Sequence, residues 1–213
     1  MTLQLDRAEV LRYMGYAADG TDEQIIQTAQ DAIDRITAAA VPRWQWVECG
    51  LDELPLSGKD IFTHLSGCDR MIILCATLGI GVDRTIRVAQ RSSMLTALAL
   101  DAAAGDAIEK VCDYAEDEMR LYYGERGLYL TGRYSPGYGD LPLTLQPDIV
   151  TRCDAPRRIG LTVTPTNILT PRKSVTALLG VSAHPVRGRA RGCGSCRLAA
   201  QCPYRKKMIH CGC

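Results

Sequence analysis

The amino-acid sequence predicts an α+β domain, in which helices are mixed with a few strands rather than arranged as a regular strand–helix–strand series. Two segments carry this prediction. The run Arg70–Thr77 is apolar almost throughout after its first residue, which is typical of a strand buried on both faces. Residues 82–123 are rich in strong helix formers and predict one long helix or two helices with a bend. A doubly wound fold would repeat these two patterns in turn, and this chain does not.

Two helices are expected before the first strand. Asp6 with Glu9 three residues later is a capping-box pattern, which marks the start of a helix. Thr21 and Gln24 repeat the pattern, and apolar residues then follow helical spacing from residue 25 to residue 36.

Shorter elements complete the prediction. Gly105 indicates a close contact or a kink within the long helical stretch. The other expected segments are, in chain order, a strand at 44–49, a short helix at 57–65, an irregular Gly- and Pro-rich stretch at 134–147, and strands at 159–163 and 174–181.

The composition is that of a soluble protein with a core, because 46% of the 213 residues are apolar and 23% are charged. The length fits one domain with a small appendage. The chain has no apolar stretch approaching the ~18 residues that a membrane span needs, and its first residues do not resemble a secretion signal. A cytoplasmic protein without a membrane partner is therefore expected.

The segment Arg133-Tyr-Ser-Pro-Gly-Tyr-Gly-Asp-Leu-Pro142 is a candidate ligand loop. Its proline and glycines bend the backbone sharply and expose N–H groups. Exposed amides can hold a carboxylate, an adjacent arginine can take it in a bidentate pair, and Tyr138 adds an aromatic face. Such groups suit an amino-acid carboxylate joined to a nucleoside. The alternative is a structural turn with a solvated arginine.

The pattern Arg-x-x-x-Gly-Tyr-x-x-x-Pro in this loop resembles the signature of the activation domain of cobalamin-dependent methionine synthase. The resemblance covers about residues 5–183 and implies helices packed on a mainly antiparallel sheet. From His184 onward the composition changes to Gly, Arg and Cys, so we expect an S-adenosylmethionine-binding domain at 1–183 and a cysteine-rich tail at 184–213. Three further segments resemble stand-alone versions of the domain in the same order: Cys75-Ala-Thr-Leu-Gly79, Ala107-Ile-Glu-Lys-Val-Cys112 and Pro171-Arg-Lys-Ser-Val-Thr176.

In that family the loop binds S-adenosylmethionine, and the resemblance implies a role for each matching residue. Arg133 would hold the ligand carboxylate. Backbone groups of Ser135 and Gly137 would contact the ligand, and Tyr138 would shape the pocket. Glu109 would face the sulfonium or amino group, both of which are positively charged; the alternative is a solvent-facing helix glutamate. None of these side chains is expected to be catalytic.

One position departs from the family pattern. The resemblance implies a tyrosine in the ligand site near the strand that follows Ser174 and Val175. This chain reads Ala177-Leu-Leu-Gly180 there, so the contact is missing or replaced, and the affinity for the ligand is expected to differ.

The resemblance implies an accessory function in reactivation. The domain would bring S-adenosylmethionine over the cobalt of oxidised cob(II)alamin while an electron donor supplies one electron, and methyl transfer would trap the reduced metal. The corrinoid-binding pattern Asp-x-His-x-x-Gly does not occur in the sequence, so cobalamin is expected only through a partner, a cobalamin-bearing methionine synthase subunit. The isolated chain should have no turnover. Another corrinoid methyltransferase is the alternative partner.

The ten cysteines fall into two groups. Five are isolated among apolar or helical residues and are predicted to be small buried side chains, since a reducing compartment seldom keeps disulfides; they are Cys49, Cys68, Cys75, Cys112 and Cys153. The other five lie within the last 21 residues and are Cys193, Cys196, Cys202, Cys211 and Cys213.

The clustered cysteines predict a metal site. Cys193 and Cys196 place two sulfurs on one turn, and Cys202 with Cys211 or Cys213 completes four thiolates. The nearby His210 is a possible substitute ligand. Zinc and a 4Fe–4S iron–sulfur cluster both remain open, and the cluster suits a reactivation that consumes an electron.

The charge is distributed unevenly along the chain. Residues 1–154 have a net charge of −10, whereas residues 155–213 have a net charge of +11 and no acidic residue. A basic tail predicts an acidic partner, an anionic ligand or a balance for metal-bound thiolates. A basic zinc module could also bind nucleic acid, but Tyr204 is its one aromatic residue for base stacking, which makes this the less favoured alternative.

Overall fold

A computed structural model describes residues 2–16 and 21–186 of the chain. Its helices are α1 (Arg7–Tyr13), α2 (Glu23–Ala39), α3 (Lys59–His64), α4 (Ile80–Ala89), α5 (Met94–Gly124), α6 (Gln146–Arg152) and α7 (Ala155–Ile159). Its strands are β1 (Arg43–Gly50), β2 (Arg70–Thr77), β3 (Tyr129–Leu130), β4 (Thr162–Val163), β5 (Leu169–Thr170) and β6 (Ser174–Ser182). A 3-10 turn at Leu143–Leu145 precedes α6.

The main sheet is antiparallel throughout and has the order β1-β2-β6-β3. β2 and β6 pair over their length, from Arg70 opposite Val181 to Thr77 opposite Ser174. β4 and β5 form a separate two-stranded ribbon. Helices packed on a mainly antiparallel sheet were expected, and this fold class is confirmed.

The two faces of β2 explain why its sequence is continuously apolar. Ile72 and Leu74 face the layer that contains α5. Met71, Ile73 and Cys75 face the opposite layer, which contains α3, α6 and α7. All five side chains are completely buried, and each large one contributes about 1.5–3 kcal/mol relative to exposure. From Met71 to Thr77, β2 therefore has no solvent-exposed face.

The long helical stretch consists of two helices, with a break at residues 90–93. Ser93 caps α5, since its hydroxyl accepts a hydrogen bond from the Thr96 N–H (3.2 Å). A Cβ atom at Gly105 would lie 4.0 Å from Cδ2 of Tyr13, so this glycine marks the close approach of α1. Within the described residues no helix is long and apolar enough to cross a membrane.

Two differences from the sequence-based expectation have a clear structural cause. Asp22 rather than Thr21 caps α2, because its carboxylate accepts the Gln24 N–H at 2.7 Å. The strand expected at 159–163 is reduced to Thr162–Val163, since α7 runs to Ile159. Pro156 in the first turn and Gly160 in a left-handed conformation favour that short helix.

The predicted tail lies almost entirely outside the described residues. β6 ends at Ser182, next to the predicted division between residues 183 and 184, which stays a prediction. The predicted metal ligands also fall outside the described part of the chain and remain predictions; they are Cys193, Cys196, Cys202, His210, Cys211 and Cys213.

Candidate functional site

The candidate loop continues from β3, the outermost strand on one side of the sheet. The Thr131 N–H donates to the Gly180 carbonyl at 3.0 Å. Tyr134 and Leu178 exchange two N–H···O bonds of 2.9 and 2.8 Å. Residues 129–134 are therefore held along the edge of β6, and we call them the edge segment.

The loop after the edge segment closes on itself. The Gly137 N–H donates to the Leu141 carbonyl at 2.8 Å, and the Tyr138 N–H donates to the Ser135 carbonyl at 3.1 Å. Gly137 and Gly139 have φ angles of +93° and +55°, which favour glycine. Both N–H groups therefore already have acceptors within the loop. A ligand that contacts the Gly137 backbone would contact its carbonyl group.

Asp140 joins the loop to α3. Its carboxylate accepts hydrogen bonds from the N–H groups of Lys59 (2.6 Å) and Asp60 (3.0 Å), at the start of that helix. Gly139 lets the chain pass close by, because a Cβ atom there would collide with the Tyr134 hydroxyl and the Asp60 carboxylate. The conformation of the loop and the position of α3 therefore depend on each other.

Arg133 points away from the loop and toward α5. Its Nη2 lies 3.1 Å from Glu109 Oε2 and 3.0 Å from Asp113 Oδ1, and its Nε lies 3.4 Å from Glu116 Oε2. These acids occupy one face of the helix, at the i, i+4 and i+7 positions. The Arg133 side chain is only 18% exposed, so the alternative of a solvated arginine is wrong.

One atom of Arg133 has unused hydrogen-bonding capacity. Nη1 is buried and has no hydrogen-bond partner within the described part of the chain. Buried donors in native proteins almost always have an acceptor, so an orphaned guanidinium nitrogen is a candidate contact for a ligand. Because Nη1 is buried, neighbouring side chains would have to move for a carboxylate oxygen to reach it.

Glu116 and Arg120 anchor the start of the edge segment. Glu116 is completely buried, and Arg120 pairs with it at 2.7 Å. Arg120 also donates to the carbonyls of Leu130 (2.9 Å) and Thr131 (2.7 Å). Burial raises the pKa of Glu116, while Arg120 and Arg133 oppose that increase. The pair of arginines thus holds the edge segment against α5.

A cavity of about 590 Å³ lies on the other side of the edge segment, toward α3. The rings of His64 and Tyr134 are 5.0 Å apart between centroids, at an interplanar angle of 40°. Burial lowers the pKa of His64, which favours the neutral ring. Those two residues line the cavity together with Asp60, Thr63, Ser66, Gly67, Thr131, Ser182, His184, Pro185 and Val186.

The predicted site residues are brought together only in part. Arg133 and Glu109 are in direct contact, although half of the Glu109 side chain is exposed. Ser135 is partly buried, and Gly137 and Tyr138 are exposed. The Tyr138 ring lies 6.4 Å from that of Tyr134. The site therefore combines the loop with α5, and its Ser135, Gly137 and Tyr138 contacts remain predictions.

Several residues of the site were not foreseen. Asp113 and Glu116 repeat the helical spacing that starts at Glu109, so that signal was present in the sequence. His64 and Asp140 had no local signal, because each acts across a long sequence separation. In β6, Ala177, Leu178 and Leu179 are completely buried. That part of the strand therefore offers no substitute for the tyrosine that the resemblance implies.

The described residues contain no group of three or more His, Cys, Asp or Glu side chains that could hold a metal ion. Cys49, Cys68, Cys75, Cys112 and Cys153 are all buried free thiols, as predicted.

Comparison with known proteins identifies the fold. No protein-family model and no curated protein sequence matches this chain. Among solved structures, a similar one is described as the MetH reactivation domain bound to AdoHcy, with a TM-score of 0.61 and 14% sequence identity. The match covers 97% of this chain and 82% of that one. This chain therefore has the fold of the MetH reactivation domain, which the loop sequence had indicated.

Proposed function

We propose that this chain binds S-adenosylmethionine at the edge segment and supports reactivation of a corrinoid-bearing partner. The observation that carries the proposal is the buried, unpartnered Nη1 of Arg133 at the start of the loop. A carboxylate is one of the strong, often bidentate acceptors for a guanidinium. The structure of similar fold is described as bound to AdoHcy, the demethylated form of the same ligand.

The charges around Arg133 fit this ligand. S-adenosylmethionine carries a carboxylate together with an ammonium and a sulfonium group. Glu109 and Asp113 flank the guanidinium, and their side chains are 51% and 35% exposed, so they remain accessible to the cationic groups. A purely anionic ligand would meet repulsion from these acids, whereas a zwitterion with extra positive charge would be attracted.

The ligand supplies the chemistry, because its sulfonium-bound methyl group is electrophilic. This chain would bind the amino-acid end and direct the methyl group toward a cobalamin-bearing methionine synthase subunit, while a separate electron donor supplies the electron. The contribution of the protein is proximity and orientation. We expect no turnover by the chain alone.

The substitution Arg133→Ala tests ligand binding. Loss of a charged hydrogen-bonding contact should cost about 2 kcal/mol, which is about 30-fold in the dissociation constant for S-adenosylmethionine measured by calorimetry. Arg133→Lys should recover only part of the affinity, because lysine keeps the charge but not the planar fork.

A matched control is Arg158→Ala, which removes an exposed arginine of α7 whose carboxylate contact, to Asp154, is 3.7 Å long. The Arg158→Ala variant should bind S-adenosylmethionine with the affinity of the wild type. A folded Arg133→Ala chain with wild-type affinity would rule out the assignment of this loop.

The reactivation role needs its own experiment. A cobalamin-bearing methionine synthase subunit in the cob(II)alamin state is mixed with S-adenosylmethionine and a reductant, with and without this chain, and methylcobalamin is followed by its absorption spectrum. Formation that depends on this chain and falls with Arg133→Ala is the expected result. Equal formation without the chain would contradict the role.

A further inference from the structure

The C-terminal part of α5 presents an acidic face to solvent. Five exposed residues follow the spacing i, i+3, i+4, i+7 and i+11, which places them side by side on the helix surface. They are Tyr114, Asp117, Glu118, Leu121 and Glu125, and we call them the acidic face. Leu121 is 67% exposed among the three carboxylates. Such a surface fits arginine side chains, whose aliphatic stems cover apolar groups while their charged ends reach the acids.

The end of the helix adds to the negative potential of this face. The last turn of α5 contains no basic residue, and the C-terminal end of a helix carries partial negative charge. Glu125 at that end opposes the helix dipole, and a bound cation would offset the repulsion. Arg126, which follows, is engaged with Tyr122, because its guanidinium lies 3.6 Å from the ring centroid and donates to the Tyr122 carbonyl. Glu118 accepts a hydrogen bond from Trp44 Nε1 at 2.9 Å, which leaves the carboxylate its charge.

The chain leaves the described domain beside the acidic face. Val186 is the last described residue, and it lines a pocket of about 310 Å³ together with Gly124 and Tyr129. Gly124 is the last residue of α5 and is a neighbour of Leu121 on the helix surface, three residues away. The next residue of the chain therefore starts close to the acidic face.

The sequence that follows Val186 matches this face in charge, spacing and length. It reads Arg187-Gly-Arg-Ala-Arg191, and we call it the arginine segment. In an extended chain alternate side chains point the same way, so the three arginines would share one side, ~6.7 Å apart. Successive turns of an α-helix are ~5.4 Å apart, so the arginines can meet acids on successive turns. Five extended residues span ~17 Å, which covers the ~15 Å of helix between Gly124 and Tyr114.

We infer that the arginine segment docks along the acidic face of α5, with its guanidinium groups against the carboxylates and its first residue at the C-terminal end of the helix. The segment then runs toward the part of α5 where Asp113 pairs with Arg133. Cys193 follows two residues later, so docking brings the predicted metal site toward the proposed ligand site. The inference does not depend on the binding of S-adenosylmethionine.

A segment of the same chain has an advantage over a separate basic protein. The arginine segment follows Val186 directly, so its effective concentration at the acidic face is on the order of millimolar. Exposed ion pairs are individually weak, and a few of them would not hold a separate protein at lower concentrations. Residues 187–213 contain seven Lys and Arg residues and no acidic residue, so no carboxylate within that part of the chain competes for the arginines.

Trypsin tests the docking, because it cleaves after arginine and a docked arginine is protected. In the test variant amides replace the three acids, which removes the charge and keeps the size and an acceptor oxygen: Asp117→Asn, Glu118→Gln and Glu125→Gln. With the full chain at low salt, mass spectrometry should show about ten-fold faster cleavage at residues 187–191 in this variant, because cleavage follows the undocked fraction. In about 0.5 M NaCl the two rates should converge, since salt screens exposed charges.

A matched control removes the same charge from exposed acids of α2, by Glu23→Gln, Asp31→Asn and Asp34→Asn. The control should be cleaved at the wild-type rate. Equal rates for the wild type and the acidic-face variant would overturn the docking, and so would equally fast cleavage of the control, which would reveal an effect of net charge alone. Protection that is lost on dilution would show that the segment docks on a second copy, and would overturn the assignment within one chain.

Discussion

Arg133 stabilises the fold and is also the residue proposed to bind the ligand carboxylate. Glu116 is completely buried, and an unpaired carboxylate there would cost several kcal/mol. Arg120 and Arg133 both approach it, so the contact with Arg120 would still compensate part of its charge if Arg133 turned to the proposed ligand.

Gly180 is a position where a single methyl group should be costly. A Cβ atom there would lie 3.1 Å from both Cys68 Cβ and Leu65 Cδ2, and would collide with the Cys68 sulfur. Gly180→Ala should reduce the free energy of unfolding by about 1–3 kcal/mol, the cost of overpacking. Thermal unfolding followed by circular dichroism should show a melting temperature several degrees lower.

Gly124→Ala is the matched control, since nothing lies within 4 Å of a Cβ atom at that position near the end of α5. Its stability should be unchanged or higher by up to about 1 kcal/mol, because alanine favours the helix. A Gly180→Ala variant that melts at the wild-type temperature would show that the close approach of Cys68 does not prevent a larger side chain at this position.

At the level of elements, α3 and the candidate loop form one unit. A six-residue helix is too short to be stable alone, and its N-cap residue, Gly58, has no side chain that could cap it. Asp140 supplies the cap from the loop, 80 residues away in sequence from Asp60. The same helix contributes His64 to the cavity, so the cap also positions one wall of that cavity.

Asp140→Ala should therefore weaken both stability and ligand binding. Removal of an N-cap costs about 1 kcal/mol, with a range of about 0.5–2. The affinity for S-adenosylmethionine should fall as well, because α3 and the loop lose their mutual support, and amide exchange in residues 59–64 should become faster. Calorimetry and hydrogen–deuterium exchange measure the two effects.

The control is Asp22→Ala, which removes the N-cap of α2. It should cost a similar free energy of unfolding and leave the ligand affinity unchanged, since α2 packs in the helical layer away from the loop. Equal effects of both substitutions on affinity would show that Asp140 acts only through global stability.

The elements that could be predicted from sequence are those with strong local patterns. β2 was predicted over its full range. Both of its faces are buried, so its sequence is apolar almost throughout and predicts a buried strand. The short helix α3 was predicted within two residues at each end. The contacts of Arg133 with Asp113 and Glu116 were not predicted, because they join segments about 20 residues apart through tertiary packing. The cavity likewise depends on the relative position of three elements.

At the level of the whole molecule, the described residues contain a complete core. Three clusters of buried side chains cover both faces of the sheet and the interior of the helical layer, and they extend only from Val10 to Val181. The described residues therefore form a core among themselves, which agrees with the predicted division of the chain near residue 183. Folding of the domain and metal binding by the tail should be separable.

If the domain folds independently of the tail, the metal content can be removed without a change in the stability of the domain or in its affinity for the ligand. Purification without oxygen should yield metal-containing protein: about four irons and a broad absorption band near ~400 nm for a cluster, or one zinc and no colour for a structural site. The double substitution Cys193→Ser and Cys196→Ser should abolish the metal content measured by mass spectrometry. Thermal unfolding of the domain and S-adenosylmethionine affinity should be unchanged, because the core and Arg133 lie elsewhere.

Cys112→Ala provides the opposite control, since Cys112 is completely buried against the helical layer. This variant should retain the metal and lose stability, because a buried thiol is replaced by a smaller group. Iron in the wild type, together with loss of corrinoid reactivation but not of ligand binding in the double variant, would assign the tail to electron delivery. A metal content that survives the double substitution would contradict the predicted ligands, since Cys202, Cys211 and Cys213 alone cannot provide four thiolates.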